Sequence, residues 1–232
     1  MRVALPLILL TAALPLAACS GGEKAHVSNA TADLSQLRNF TSVALTGPDD
    51  VVITVGPEFS VKAEGEAKGL EKLEFSVDDG KLKIGRKSNF WGTSSDHGAV
   101  IRISMPAIAA ASLTGSGDLS VDKVQGENFE MSLTGSGDMK IGALSAKSLD
   151  AVIAGSGDMT VAGASDRAEV SVTGSGNFQA SSFKTNNAKV DVTGSGNAAF
   201  ASDGSVSASI LGSGDIAVKG KADRKSTRLN SS

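Results

Sequence analysis

The sequence predicts an all-β fold, a single-domain β-solenoid of the right-handed parallel β-helix type. Three observations predict it. A six-residue phrase, LTGSGD at 113–118, returns at 133–138 and then as IAGSGD, VTGSGN, VTGSGN and ILGSGD. The first glycines of these phrases, Gly115, Gly135, Gly155, Gly174, Gly194 and Gly212, are spaced by 20, 20, 19, 20 and 18 residues. Within each copy apolar residues alternate with polar ones, the period of a strand with one buried face. A 20-residue unit of short strands cannot bury its apolar face alone, whereas stacked coils can.

The repeats follow one frame. Two positions before the first glycine sit Leu113, Leu133, Ile153, Val172, Val192 and Ile210. Four positions after it sit Leu119, Met139, Met159, Phe178, Ala198 and Ile216. Stacked about 4.8 Å apart in a parallel ladder, each set becomes an apolar column. The glycines of each phrase are expected to make the corner, because glycine reaches backbone angles that other residues avoid. They are Gly115 and Gly117, Gly135 and Gly137, Gly155 and Gly157, Gly174 and Gly176, Gly194 and Gly196, and Gly212 and Gly214. The residue after each pair, Asp118, Asp138, Asp158, Asn177, Asn197 or Asp215, suits an Asx turn onto a nearby amide.

The other segments are read in chain order. Residues 1–18 carry Arg2 and a short apolar run with small residues at its end, which reads as an export signal. Residues 19–37 are Ser-, Ala-, Gly- and charge-rich and read as a flexible tether. The solenoid domain is placed at 38–222. LTGPDD at 45–50 fits the repeat frame as a seventh, diverged copy. The period then breaks. EFSVKAEG, KLEFSV, KLKIG and AVIRISMP read as strands, with Asp79-Gly80 as a hairpin turn. RKSNFWGTSSDHG is a long loop whose Phe90 and Trp91 are candidate partner contacts. Residues 223–232, DRKSTRLNSS, abandon the alternation and read as the translation of a sequencing adapter, a non-native tail.

Leu16-Ala17-Ala18-Cys19 followed by Ser20 resembles the lipobox of a bacterial lipoprotein. That resemblance implies cleavage before Cys19 and lipid attachment to it. Ser rather than Asp at position 20 resembles an outer-membrane sorting signal. A plain secretory signal is the alternative. Cys19 is the one cysteine of the chain, so no internal disulfide can form.

FTSVALTGPDDVVITVG, KLEFSVDDGKLKIG, VIRISMPAIAAASLTGSGDLSV and the GSG(D/N) repeats together resemble the head GIN domain family of auto-transporter adhesins, over about 39–222. The resemblance implies an exported β-rich domain without established biochemistry.

Chemistry is sparse. The net charge is −3, and removing the two basic ends makes the body more acidic, which excludes nucleic acid as the expected partner. The Asp column raises calcium as an alternative, but Asn in two copies favours a turn ladder, so no metal or cofactor is expected. Asp138 and Asp158 could approach the spacing of a retaining glycosidase pair. Nothing marks their coils as special, so a polysaccharide-modifying enzyme stays the alternative and no catalytic residue is assigned. GSG lacks the nucleophile elbow, and the two histidines are His26 and His97. The reading is a non-catalytic, lipid-anchored envelope protein with a repetitive polar face. Its expected partners are the membrane through the lipid, a glycan or envelope protein, and a second copy through an open strand edge.

Overall fold

The computed structural model of the chain describes residues 23–26, 34–87 and 98–229. Cys19, Phe90, Trp91 and His97 lie outside the described residues. The first elements are β1 (Glu23–His26), a 3-10 turn (Leu34–Gln36), β2 (Ser42–Gly47), β3 (Asp50–Val55) and β4 (Ser60–Glu64). A one-turn helix, α1 (Ala67–Leu70), precedes β5 (Leu73–Asp78), β6 (Lys81–Arg86), β7 (Val100–Met105), β8 (Ala110–Gly115) and β9 (Leu119–Val121). The remainder is β10 (Val124–Gly135), β11 (Met139–Gly155), β12 (Met159–Gly174), β13 (Asn177–Gly194), β14 (Asn197–Gly212), β15 (Asp215–Lys219) and β16 (Asp223–Leu229).

These strands make a β-solenoid of about six turns. The order β2-β8-β10-β11-β12-β13-β14 is parallel and in register at every corner, with Gly47 opposite Gly115, Gly115 opposite Gly135, and so on to Gly212. The phrase at 45–50 is therefore a true first copy. The short strands expected inside each coil are instead long: β11 runs unbroken for 17 residues and β13 for 18. Pairing to the neighbouring coil resumes past the bends after register shifts, between Ile141 and Leu144, Thr160 and Ala162, and Ala180 and Lys184. At one bend Ser165, Thr185 and Ser202 stack in register and are buried. Ser165 Oγ donates to the Arg167 carbonyl at 2.7 Å and Thr185 Oγ1 to that of Asn187 at 3.1 Å.

Inside, Leu45, Leu113, Leu133, Ile153, Val172 and Val192 form one column, each at most 1% exposed. Val51, Leu119, Met139, Met159, Phe178 and Ala198 form a second. A third wall, Phe129, Leu149, Ala168, Ala188 and Val206, closes the core. Full burial of each large member contributes about 1.5–3 kcal/mol.

The first half differs. β5 and β6 form the expected hairpin, with Asp78 opposite Lys81 and positive φ at Asp79 (48°) and Gly80 (71°). That pair of angles matches a type I′ turn. β6 continues the sheet beyond β2, while β7 lies beside β3 and pairs antiparallel with β4. The expected tether needs correction. Leu34 and Leu37 are buried at 3% and 2%, and β1 pairs antiparallel with β5. Leucines at a spacing of three on a 3-10 turn fall on one side, which packs into the core. Leu34 and Leu37 therefore belong to the core, and β1 adds a further strand beside β5. At the other end, 223–229 extends the ladder as β16, parallel to β14. Strand pairing there uses backbone groups, so it does not depend on apolar alternation in the tail.

Candidate functional site

The GSG corners run down one edge of the solenoid. The first glycine of each phrase has φ between 117° and 133°, a region that side chains disfavour. Its carbonyl accepts two N–H groups from the next coil: Ser136 N and Gly137 N on the Gly115 oxygen at 3.0 and 3.2 Å, repeated through Gly194. The second glycine lacks the positive φ but shares with the first a close approach to the preceding coil. A Cβ at Gly137 would overlap the Gly117 carbonyl oxygen, and one at Gly157 would overlap that of Gly137. This position is glycine because backbones of successive coils touch there.

In place of local Asx turns, each side chain from Asp118 to Asn197 accepts from the backbone N–H of its equivalent in the next coil. Asp138 N donates to Asp118 Oδ1 at 3.0 Å, Asp158 N to Asp138 Oδ1 at 3.0 Å, and Asn177 N to Asp158 Oδ1 at 2.9 Å. The chain of bonds goes on through Asn197 and Asp215 at 3.2 and 2.9 Å. It begins one coil earlier than the sequence suggested, with Asp118 N on Asp50 Oδ1 at 3.0 Å. Asn serves as well as Asp because a side-chain oxygen is what the amide needs. Asp138 and Asp158 thus hold the same role in successive coils, not the separate roles of an acid and a base. Among the described residues no three His, Cys, Asp or Glu side chains gather as a metal site.

Two residues beyond this column the chain points outward again. There Val52, Ser120, Lys140, Thr160, Gln179 and Ala199 lie in register on successive coils. Val52, Ser120, Lys140, Thr160 and Gln179, together with Asp50, Asp118, Asp138 and Asp158, line a shallow groove of about 490 Å³ that crosses the coils. Gln179 Nε2 donates to Asp158 Oδ2 at 2.8 Å across it. On the sheet that precedes the corners, Thr46, Thr114, Thr134, Ala154, Thr173 and Thr193 form an outward column. Beside it Glu130, Asp150 and Glu169 stack, with Lys189 next in line. Partial burial, then Glu169 and Glu130, push the Asp150 carboxyl above its ordinary value. Glu169 bonds Lys189 at 2.6 Å and holds that ammonium's pKa above its usual range.

Where the first half begins, Asp49 is fully buried and accepts from Arg86 Nε at 2.8 Å, Arg86 Nη2 at 2.5 Å and the Ala99 amide at 2.8 Å. No repeat marks this group, because Arg86 lies 37 residues from Asp49 and neither recurs with the period.

The profile of the family described as "Putative auto-transporter adhesin, head GIN domain" matches residues 39–222. The chain belongs to this family. Among solved structures, the fold recurs in a protein described as a putative adhesin from Bacteroides fragilis. The TM-score is 0.70 at 17% identity, over 84% of this chain and 94% of that one. A putative lipid binding protein from Parabacteroides distasonis matches with a TM-score of 0.67 at 20% identity, over 90% and 94%. A putative adhesin from Parabacteroides merdae matches with 0.65 at 17% identity, over 90% and 92%. At such identities the likeness concerns the fold alone. No curated protein matches the chain. No helix among the described residues is long and apolar enough to cross a membrane.

Proposed function

We propose that this head GIN protein is a non-catalytic binding module of the bacterial cell envelope, of the adhesin type, tethered by a lipid on Cys19. The observation that supports the reading is the in-register stacking. It turns each outward residue of a coil into a column with a fixed step of about 4.8 Å. A regular array of weak polar contacts suits a partner that itself repeats, such as a glycan or an envelope surface. The equivalence of the Asp residues along their column argues against a single reaction centre.

The test is protease shaving of intact cells against lysed cells, probing for this domain. Loss from intact cells supports an outward-facing adhesin. Loss confined to lysed cells overturns that role and leaves a periplasmic binding module. Replacing Cys19→Ala is expected to move the protein from the membrane to the soluble fraction. Retention in the membrane would remove the lipid anchor from the reading.

A further inference from the structure

We infer that the groove beside the corner edge binds an extended, uncharged glycan chain lying along the solenoid axis. The inference rests on the binding-module reading above and names its ligand class. The groove crosses coils instead of sitting within one, from β3 through β9, β11 and β12 to β13. Four strand steps of about 4.8 Å make it about 19 Å long. Its volume of about 490 Å³ falls in the usual range for ligand clefts.

From β9 to β13 each rung offers two polar groups of different kinds. One is the fixed side-chain oxygen of the corner column. The other, two residues on, carries a donor: Ser120, Lys140, Thr160 or Gln179. Sugar hydroxyls both donate and accept, so a donor beside an acceptor on every rung suits them. A sugar unit in an extended glycan is about as long as one coil step, so successive units meet successive rungs. The corner carboxylates are held by backbone amides of the next coil, and such preorganised groups lose little freedom on binding.

The polar stretch is also bounded. In the same outward column Val52 precedes Ser120, while Ala199 and Ala217 follow Gln179. The rungs from Ser120 to Gln179 therefore stand apart from the rest of the solenoid. Charge decides against acidic polysaccharides. Asp50, Asp118, Asp138 and Asp158 face the groove with Lys140 as the one basic group among its lining residues.

The full chain, solubilised in detergent, is titrated with cellohexaose and xylohexaose by calorimetry, with polygalacturonate as the acidic control. Three exposed residues are replaced together, Lys140→Ala, Thr160→Val and Gln179→Ala, and folding is checked by circular dichroism. A matching variant of the Thr column, Thr114→Val, Thr134→Val and Thr173→Val, serves as comparison. The expected result is binding of a neutral hexamer, weakened at least tenfold in the groove variant and unchanged in the Thr variant. Unchanged binding in a folded groove variant, with loss in the Thr variant, would overturn the groove while leaving a binding module. Tighter binding of polygalacturonate than of either hexamer would overturn the choice of ligand. Absence of binding to both hexamers at millimolar concentration would overturn the inference. The shaving experiment would still judge the envelope role separately.

Discussion

The two halves of the solenoid reach stability by different means. From β10 to β14 every coil meets its neighbours through the same columns, the same corner glycines and the same Asx-to-amide bond. From β2 to β7 few contacts repeat. That half joins an antiparallel hairpin to the ladder, packs Phe40 against Phe59 with ring centroids 5.0 Å apart, and buries the Asp49–Arg86 pair. Asp49 ties three distant segments together: β6 through Arg86, the approach to β7 through Ala99, and the corner before β3. The repeats distribute their stability, whereas the first half concentrates it. A defect in a coil should therefore weaken one interface, and a defect at Asp49 should loosen several elements at once.

The largest expected effect is in the concentrated half. Asp49→Ala leaves Arg86 without its buried partner and should cost about 3–5 kcal/mol in a urea melt. Hydrogen exchange should show lost protection in β3, β6 and β7 while β12 and β13 keep theirs. Uniform loss across all strands would contradict the division between halves.

Next comes the corner. Gly137→Ala forces two coil backbones apart and should cost about 3 kcal/mol. Gly126→Ala, where a Cβ meets nothing within 4 Å, should stay within about 0.5 kcal/mol. Equal losses in the two variants would show that close backbone approach is not what fixes the corner glycine.

Asp138→Ala removes one acceptor from the ladder and should cost about 1 kcal/mol, while Asp138→Asn should be nearly neutral. Comparable losses in both variants would mean that charge, not the side-chain oxygen, matters at this position.

The smallest effect tests the acidic stack. The folded chain holds the Asp150 proton more tightly than an unfolded chain does, so ionisation of Asp150 disfavours folding. Asp150→Asn should stabilise by about 0.5 kcal/mol at pH 7. The gain should fade as pH falls to the ordinary carboxylate value of 3.8, where both states take up the proton. A gain that persists below that pH would assign the effect to something other than charge.

What could be read in advance follows the same division. Leu113, Leu133 and Ile153 announce their column because a repeat displays one environment several times. The Asp79-Gly80 turn is legible because its backbone angles admit few residues. The third wall is not legible, since Phe129, Leu149 and Ala168 share a position but not a size. Neither are the ladder bonds. An Asp followed by an amide in its own turn and one followed by an amide 20 residues on look alike in sequence. The Asp49–Arg86 pair occurs once and spans an insertion, so no period points to it. Leu34 and Leu37 sit in a polar stretch, where two leucines at a spacing of three are too few to mark a buried face. In the groove, Ser120, Lys140, Thr160 and Gln179 are four residue types at one position. Periodicity marks them as outward, and the register places them together.

The Asx ladder also has a direction. Each side chain reaches toward the coil that follows, and each amide toward the coil that precedes. A tandem duplication of one coil, about 20 residues beginning at any corner, would inherit a donor on one side and an acceptor on the other. It would join the stack without any compensating substitution. Genes of this kind can therefore change the length of their product by unequal recombination, one rung at a time, and selection can adjust reach without redesigning a core.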